Sequence, residues 1–115
     1  MKTNIALFIC SLIFFTGLKV AAQDNIKSEQ LKVYGNCEMC KTTIESALKK
    51  KDGILSKNWN VDTKILTVTF DTDKITLQQI AQKVANAGYD NELATASEDA
   101  YKGLHTCCQY DRPKK

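Results

Sequence analysis

Histidine occurs once in this chain, as His105, and no serine or carboxylate cluster accompanies it, so a hydrolytic triad or a two-carboxylate acid–base site has no evident home. Proline also occurs once, as Pro113, five residues beyond the last cysteine. A thioredoxin-like fold needs a proline facing its active disulfide and a βαβ unit ahead of its hairpin, and this pattern supplies neither. The most apolar stretch, Ile5 to Phe15, counts 11 residues, well short of the roughly 20 needed to span a bilayer as a permanent helix. Internal repeats and low-complexity tracts are absent, and 115 residues leave room for one small domain and little else. Neither sign of charge dominates: 16 basic and 13 acidic side chains are interleaved, which leaves no footprint for nucleic acid.

What is present begins with Met1-Lys2, the apolar stretch, then Thr16-Gly17 and Val20-Ala21-Ala22 before the polar Gln23-Asp24-Asn25. This is the arrangement of a secretory signal, with cleavage expected after Ala22 and with Val20 and Ala22 at the two recognition positions. The bulky Ile9 before Cys10 argues against lipid attachment. The expected location is therefore secreted and periplasmic, with no stable membrane insertion once the signal is removed. Cleavage leaves 93 residues and, because the signal carries Lys2 and Lys19 and no acid, lowers the formal charge from +3 to +1. The expected organisation is a signal over 1–22, a flexible polar leader over 23–29, a folded domain over 30–96 and a C-terminal tail over 97–115.

Within the domain, Leu31 and Val33 alternate with Lys32 and Tyr34 as in a half-buried strand, which Gly35-Asn36 stops. Cys40, Ile44, Ala47 and Leu48 form one apolar stripe, so residues 38–50 read as an amphipathic helix closed by Asp52-Gly53. The run Lys49-Lys50-Lys51 falls at its carbonyl end, where the helix dipole favours cations; docking of an acidic protein is the alternative reading. Trp59 and Val61, then Leu66, Val68 and Phe70, alternate with polar residues across Asp62-Thr63-Lys64, the pattern of a hairpin. Thr76-Leu77-Gln78-Gln79 has the form of a capping box ahead of the stripe Leu77, Ile80, Ala81, Val84 and Ala85, and Gly88 ends this second helix. A weaker strand over Asp90 to Ala96 completes the order βαββαβ. The predicted class is α+β: a ferredoxin-like sandwich of one antiparallel sheet with two helices on one face, followed by a cysteine-containing tail. In that tail Tyr101, Leu104 and Tyr110 are candidate anchors that would carry His105, Cys107 and Cys108 back onto the domain.

Cysteine usage is the strongest chemical signal. Cys10 leaves with the signal, and four thiols remain: Cys37 and Cys40, spaced C-x-x-C, and the adjacent pair Cys107-Cys108. Cys37 and Cys40 sit at a predicted helix N-terminus, whose amides and dipole favour thiolate over thiol. Two soft thiolates on one side of a turn suit a soft metal, Cu(I) above all, with Zn(II) feasible if further ligands join. In an oxidising compartment the same thiols also read as two disulfides or as a redox couple.

The strand, loop, C-x-x-C and helix at the start of a βαββαβ pattern, with Asp52-Gly53-Ile54, Val68-Thr69-Phe70-Asp71 and Ala87-Gly88-Tyr89 at matching places, resemble the heavy-metal-associated domain over Gln30 to Ala96. That family includes copper chaperones, amino-terminal modules of metal-transporting ATPases and a secreted mercury-binding protein; a signal ahead of a single domain is most similar to the last, or to a periplasmic copper-binding relative. The resemblance implies a protein that is no enzyme. It would hold a soft ion on Cys37 and Cys40, Cu(I) first with Hg(II) or Zn(II) as alternatives, and relay or sequester it. The implied partner is a metal-transporting membrane pump or efflux system, the implied state a monomer with transient metal-bridged dimers. Tyr89 matches a family position close to the metal loop. It is carried over, with Asn36, as a neighbour of the metal and not a ligand; its other reading is an aromatic closing the core.

Two departures stand out. The family loop reads Gly-Met-x-Cys-x-x-Cys, whereas here Tyr34-Gly35-Asn36-Cys37-Glu38-Met39-Cys40 places glycine where a buried methionine packs beneath the loop. Met39 is expected to be exposed or capping and Trp59 to lie in the core. The second departure is the tail: His105, Cys107 and Cys108 offer additional ligands that would raise the coordination number, and at least one of the two cysteines is expected to join the site or receive metal from it. A thiol-disulfide redox protein and a disulfide-stapled adaptor domain stand as the rival functions.

Overall fold

A computed structural model describes residues 25–114. The signal expected over 1–22, with Cys10, lies outside the described residues. The first strand, β1, spans Ile26–Lys32. It therefore begins inside the segment expected to be a flexible leader. Asn25 explains part of this: its carbonyl accepts from the Thr72 amide at 2.7 Å, stapling the strand start to the end of its neighbour. The central strand β3, Ile65–Asp71, pairs antiparallel with β1 on one side and with β2, Ile54–Trp59, on the other, giving the order β1-β3-β2. Period-two alternation along β3 buries Leu66, Val68 and Phe70 on one face and leaves Thr67 exposed on the other.

Helix α1 spans Glu38–Ser46, shorter than the predicted 38–50. Its hydroxyls are the reason. Thr42, Thr43 and Ser46 each donate to the carbonyl four residues back, at 3.3, 3.1 and 2.7 Å, which weakens propagation. The chain then tightens into i→i+3 bonds, Ala47 N to Ile44 O and Leu48 N to Glu45 O. A separate 3-10 turn over Lys50–Asp52 carries two of the three lysines and ends on Gly53, whose φ of 102° is left-handed. Helix α2, Leu77–Asn86, has the predicted start: Thr76 accepts from the Gln79 amide while Gln79 Oε1 accepts from the Thr76 amide. Its buried face is Ile80, Ala81, Val84 and Ala85, and it packs with α1's Cys40 and Ile44 into one core with Leu31, Leu66 and Val68.

The predicted fourth strand over Asp90 to Ala96 is reduced to a single bridge between Val33 and Asn91. Side chains outcompete the ladder there. Asn91 Oδ1 accepts from the amides of Leu93 and Ala94, both at 3.0 Å, and the Asp90 carboxylate accepts from Ala96 N at 2.8 Å, folding the segment into a turn. The sheet consequently has three strands among the described residues.

The tail is ordered structure. Ser97 caps a short helix, α3, Glu98–Lys102, by accepting from Ala100 N at 3.0 Å, and Thr106–Cys108 form a 3-10 turn. Tyr110 is buried and Tyr101 and Leu104 are half-buried against the core, as anticipated for anchors. Gly88 allows this approach, because its φ is 112° and a Cβ there would meet Leu104 Cδ2 at 2.8 Å. Among the described residues no helix is long and apolar enough to cross a membrane.

Candidate metal centre

The loop after β1 delivers Cys37 to the N-cap of α1 in an extended conformation and Cys40 to the first turn. Their sulfurs stand 3.9 Å apart. Cys37 is half-exposed and Cys40 fully buried, so the pair has one face toward solvent and one toward the core. All four cysteines of the described residues are free thiols. The backbone amides of Cys40 and then Met39 point at the Cys37 sulfur without closing a capping hydrogen bond, and they hold its pKa below the ordinary thiol value. The Asn36 amide donates to the Cys40 sulfur at 3.3 Å.

The expected packing under the loop is supplied by a different residue. Trp59 is fully buried, its Nε1 donates to the Val33 carbonyl at 3.0 Å, and its ring edge occupies the space beside Gly35 that a side chain there would need. Lys41 and Glu45 fasten α1 over the indole: Lys41 Nζ donates to Glu45 at 2.7 Å and to the Trp59 carbonyl at 3.0 Å, while Glu45 accepts from the Trp59 amide at 2.8 Å.

The tail brings one of its two cysteines into this group. Cys108 is buried, and the sulfurs of Cys37, Cys40 and Cys108 all lie within 4.8 Å of one another. Burial, with the Cys40 thiol next to it, pushes the Cys108 thiol up to about 12. Cys107 is exposed instead, its sulfur 3.6 Å from that of Met39, which is itself exposed as expected. His105 is exposed at the start of the 3-10 turn, where its carbonyl accepts from Cys108 N, and it does not join the three-sulfur group. Asn36 Nδ2 donates to the Cys107 carbonyl at 3.1 Å, so this residue ties the tail to the thiol loop.

Tyr89 is fully buried, and its hydroxyl has no hydrogen-bond partner among the described residues. It lies next to the Cys40 and Cys108 thiols, near enough to feel them electrostatically although outside hydrogen-bonding geometry; burial first, then these neighbours, keep its proton on far above the usual tyrosine range. The ring closes the core, stacked on Tyr110 at 5.7 Å, and the hydroxyl end lies beside the sulfurs. Sequence reading had no signal to separate Cys108 from Cys107. Their sulfurs stand 3.9 Å apart, and the anchors around the 3-10 turn decide that Cys108 is the buried one and Cys107 the exposed one.

The sequence pattern of the heavy-metal-associated domain matches residues 36–90. The mercuric transport protein periplasmic component of Shewanella putrefaciens is 34% identical over 93 residues, covering 81% of this chain and 98% of the relative. The copper chaperone CopZ of Staphylococcus saprophyticus is 33% identical over 64 residues, 55% of this chain and 94% of the relative. Among solved structures, oxidized MerP from Ralstonia metallidurans superposes with a TM-score of 0.54 at 29% identity, covering 58% of this chain and 94% of that one. These matches place the C-x-x-C loop, the sheet and both long helices within a shared architecture.

Proposed function

The chain belongs to the heavy-metal-associated domain family, and from that premise we propose that it is a carrier holding a soft metal ion on Cys37 and Cys40. The observation that carries this reading is the free thiol pair at 3.9 Å on the first turn of α1, with one sulfur reachable from solvent and one fixed in the core. Soft thiolates select soft ions, so the cargo is Cu(I) or Hg(II), with Zn(II) requiring further ligands. The names of the relatives, a mercuric transport component and a copper chaperone, support both ions.

The half-exposed Cys37 suits ligand exchange: an incoming thiolate from a partner reaches the ion there while Cys40 still holds it. The proposed recipient is a metal-transporting membrane pump or efflux system. The proposed mature protein starts at Gln23, after signal cleavage, and works in the periplasm as a monomer, with its folded domain followed by the tail over 97–115. A carrier of this kind needs no general acid or base.

The test is anaerobic titration of the reduced mature chain, residues 23–115, with Cu(I) and Hg(II) against competing chelators. Tight stoichiometric binding that disappears in the Cys37→Ser/Cys40→Ser variant is expected. Absence of tight binding in the unmutated chain would overturn the carrier reading and bring a dithiol–disulfide couple to the front, to be checked by its reduction potential and insulin-reduction activity.

A further inference from the structure

We propose that Cys108 supplies a third thiolate to the ion held by Cys37 and Cys40, making the C-terminal segment a fixed cap on a three-sulfur site. The proposal rests on the reading of the C-x-x-C pair as a soft-metal site. It deepens that reading by assigning one residue of the tail a ligand role and leaving its neighbours Cys107 and His105 without one.

Three observations carry it. The first is spacing. With thiolate bonds of about 2.3 Å, two sulfurs on a linear ion stand about 4.6 Å apart and three on a trigonal ion about 4.0 Å apart. The Cys37–Cys40 separation of 3.9 Å falls at the trigonal value, and the third sulfur lies within 4.8 Å of both.

The second is how firmly Cys108 is held. Upstream, its amide donates to the His105 carbonyl at 2.7 Å, and the Asn36 side chain grips the Cys107 carbonyl. Downstream, the Tyr110 hydroxyl accepts from Asp90 N at 2.7 Å and donates to the Gly88 carbonyl at 2.8 Å; Tyr101 donates to the Tyr110 carbonyl at 2.6 Å. The inward sulfur is thus positioned from both sides by contacts that have nothing to do with metal, which is how a preorganised ligand is built.

The third is the Tyr89 hydroxyl, buried beside Cys40 and Cys108 without a hydrogen-bond partner among the described residues. A buried hydroxyl left unpaired has given up its water partners without a replacement. Thiol sulfur is a weak acceptor, but a metal-bound thiolate carries charge and accepts strongly. Loading the three sulfurs would give this hydroxyl the acceptor it lacks, so the donor set and the orphaned donor fit one another. A third bond also changes the use of the site. An ion held by three sulfurs, one of them under a fixed cap, leaves slowly, and transfer to a partner requires the cap to lift.

The decisive variant is Met39→Leu/Cys107→Ser. It alters two exposed side chains, and in residues 23–115 it leaves just three sulfur atoms, those of Cys37, Cys40 and Cys108. X-ray absorption of the Cu(I)-loaded, phosphine-reduced monomer should count three sulfur neighbours both in this variant and in the unmutated chain. Cys108→Ser should count two and lose the ion faster by roughly tenfold or more, at least the effect that even outer-sphere changes have on metal sites. Two sulfurs with tight binding in the unmutated chain would overturn the third ligand and leave the two-thiolate carrier standing. Three sulfurs there but two in Met39→Leu/Cys107→Ser would overturn it in favour of an outer sulfur. No tight binding in the unmutated chain would sink both readings. Should Cys108→Ser fail to fold, the count in Met39→Leu/Cys107→Ser still decides.

Discussion

The ring edge of Trp59 packs directly against the backbone of Gly35: a Cβ built at Gly35 would lie 3.0 Å from both Cζ2 and Cη2 of the indole and 3.3 Å from Cys40 Cβ. The two residues are complementary. A large aromatic from the end of β2 fills the volume beneath the thiol loop, and the glycine lets the loop settle onto it. The packing beneath the loop is supplied by the sheet, through the residue that ends β2.

That relationship predicts non-additive mutations. Gly35→Met overfills the site and should destabilise by about 1–3 kcal/mol. Trp59→Leu empties it and should cost about 3 kcal/mol, in the range of large-to-small core changes. The pair together should cost less than the sum of the two, with a coupling of at least about 0.5 kcal/mol, because the new methionine enters the volume the indole vacates. Urea unfolding of the four proteins measures this; strict additivity would mean that the two positions do not share one volume.

Tyr89→Phe separates stability from metal retention. In the metal-free protein the change removes a buried hydroxyl with no hydrogen-bond partner and keeps the ring stacked on Tyr110, so stability should rise by about 1 kcal/mol. In the loaded protein it removes a donor to thiolate, so metal loss should quicken. Thermal melts with and without Cu(I), beside chelator-competition kinetics, give the two signs. Equal shifts of both melts would refute the role assigned to the hydroxyl.

The helices, the hairpin and the C-x-x-C site were legible because each has a local cause: a stripe of period 3.6, an alternation of period two, a capping box, a cysteine pair at a helix start. Thr76 and Gln79 satisfy one another within four residues, and no distant contact is needed to see it. The fourth strand failed for the opposite reason. Asp90 and Asn91 look like ordinary strand-edge polars, yet their side chains take the backbone amides of Ala96, Leu93 and Ala94. The inward turn of Cys108 was equally unreadable, since it depends on Tyr110 and Arg112 meeting Gly88 and Asp90 some twenty residues earlier.

Alkaline pH should unfold the metal-free protein. Burial raises the pKa of the Cys108 thiol from 9.0 to about 12, and burial likewise raises Tyr110 and Tyr89 above their ordinary value of 10.0. A group whose folded pKa is raised favours the folded state fully below its unfolded pKa, and that contribution is lost as pH climbs toward the folded one. The urea midpoint should thus show no loss from these groups below about pH 9 and fall progressively above it, the thiol acting first and the tyrosines from about pH 10. Tyrosinate absorbance from Tyr89 and Tyr110 should appear together with unfolding. A midpoint that stays level to about pH 11 would show that these groups are not buried in solution.

Arg112→Ala tests whether the tail's anchor governs the ion. Arg112 makes a two-pronged pair with the buried Asp90 carboxylate, at 2.8 and 2.9 Å, donates to the Ala96 carbonyl at 2.7 Å and lies 4.9 Å over the Tyr101 ring. Removing one partner of a buried pair costs about 3 kcal/mol, since the other charge stays behind. None of these contacts touches sulfur, so a two-thiolate site would retain its ion unchanged in the folded variant. Arg112 holds Asp90, whose amide donates to the Tyr110 hydroxyl two residues after Cys108, so loss of Arg112 loosens that anchor; if the anchor holds Cys108 in place, metal release quickens toward the rate of Cys108→Ser while Cys37 and Cys40 remain intact. Arg112→Lys should recover only part of the effect, because an ammonium cannot reproduce the planar two-pronged grip. Stopped-flow transfer to a chelator in the folded variants distinguishes the cases: release at the unmutated rate would detach the anchor from the site, and an accelerated rate with a lowered sulfur count would join them.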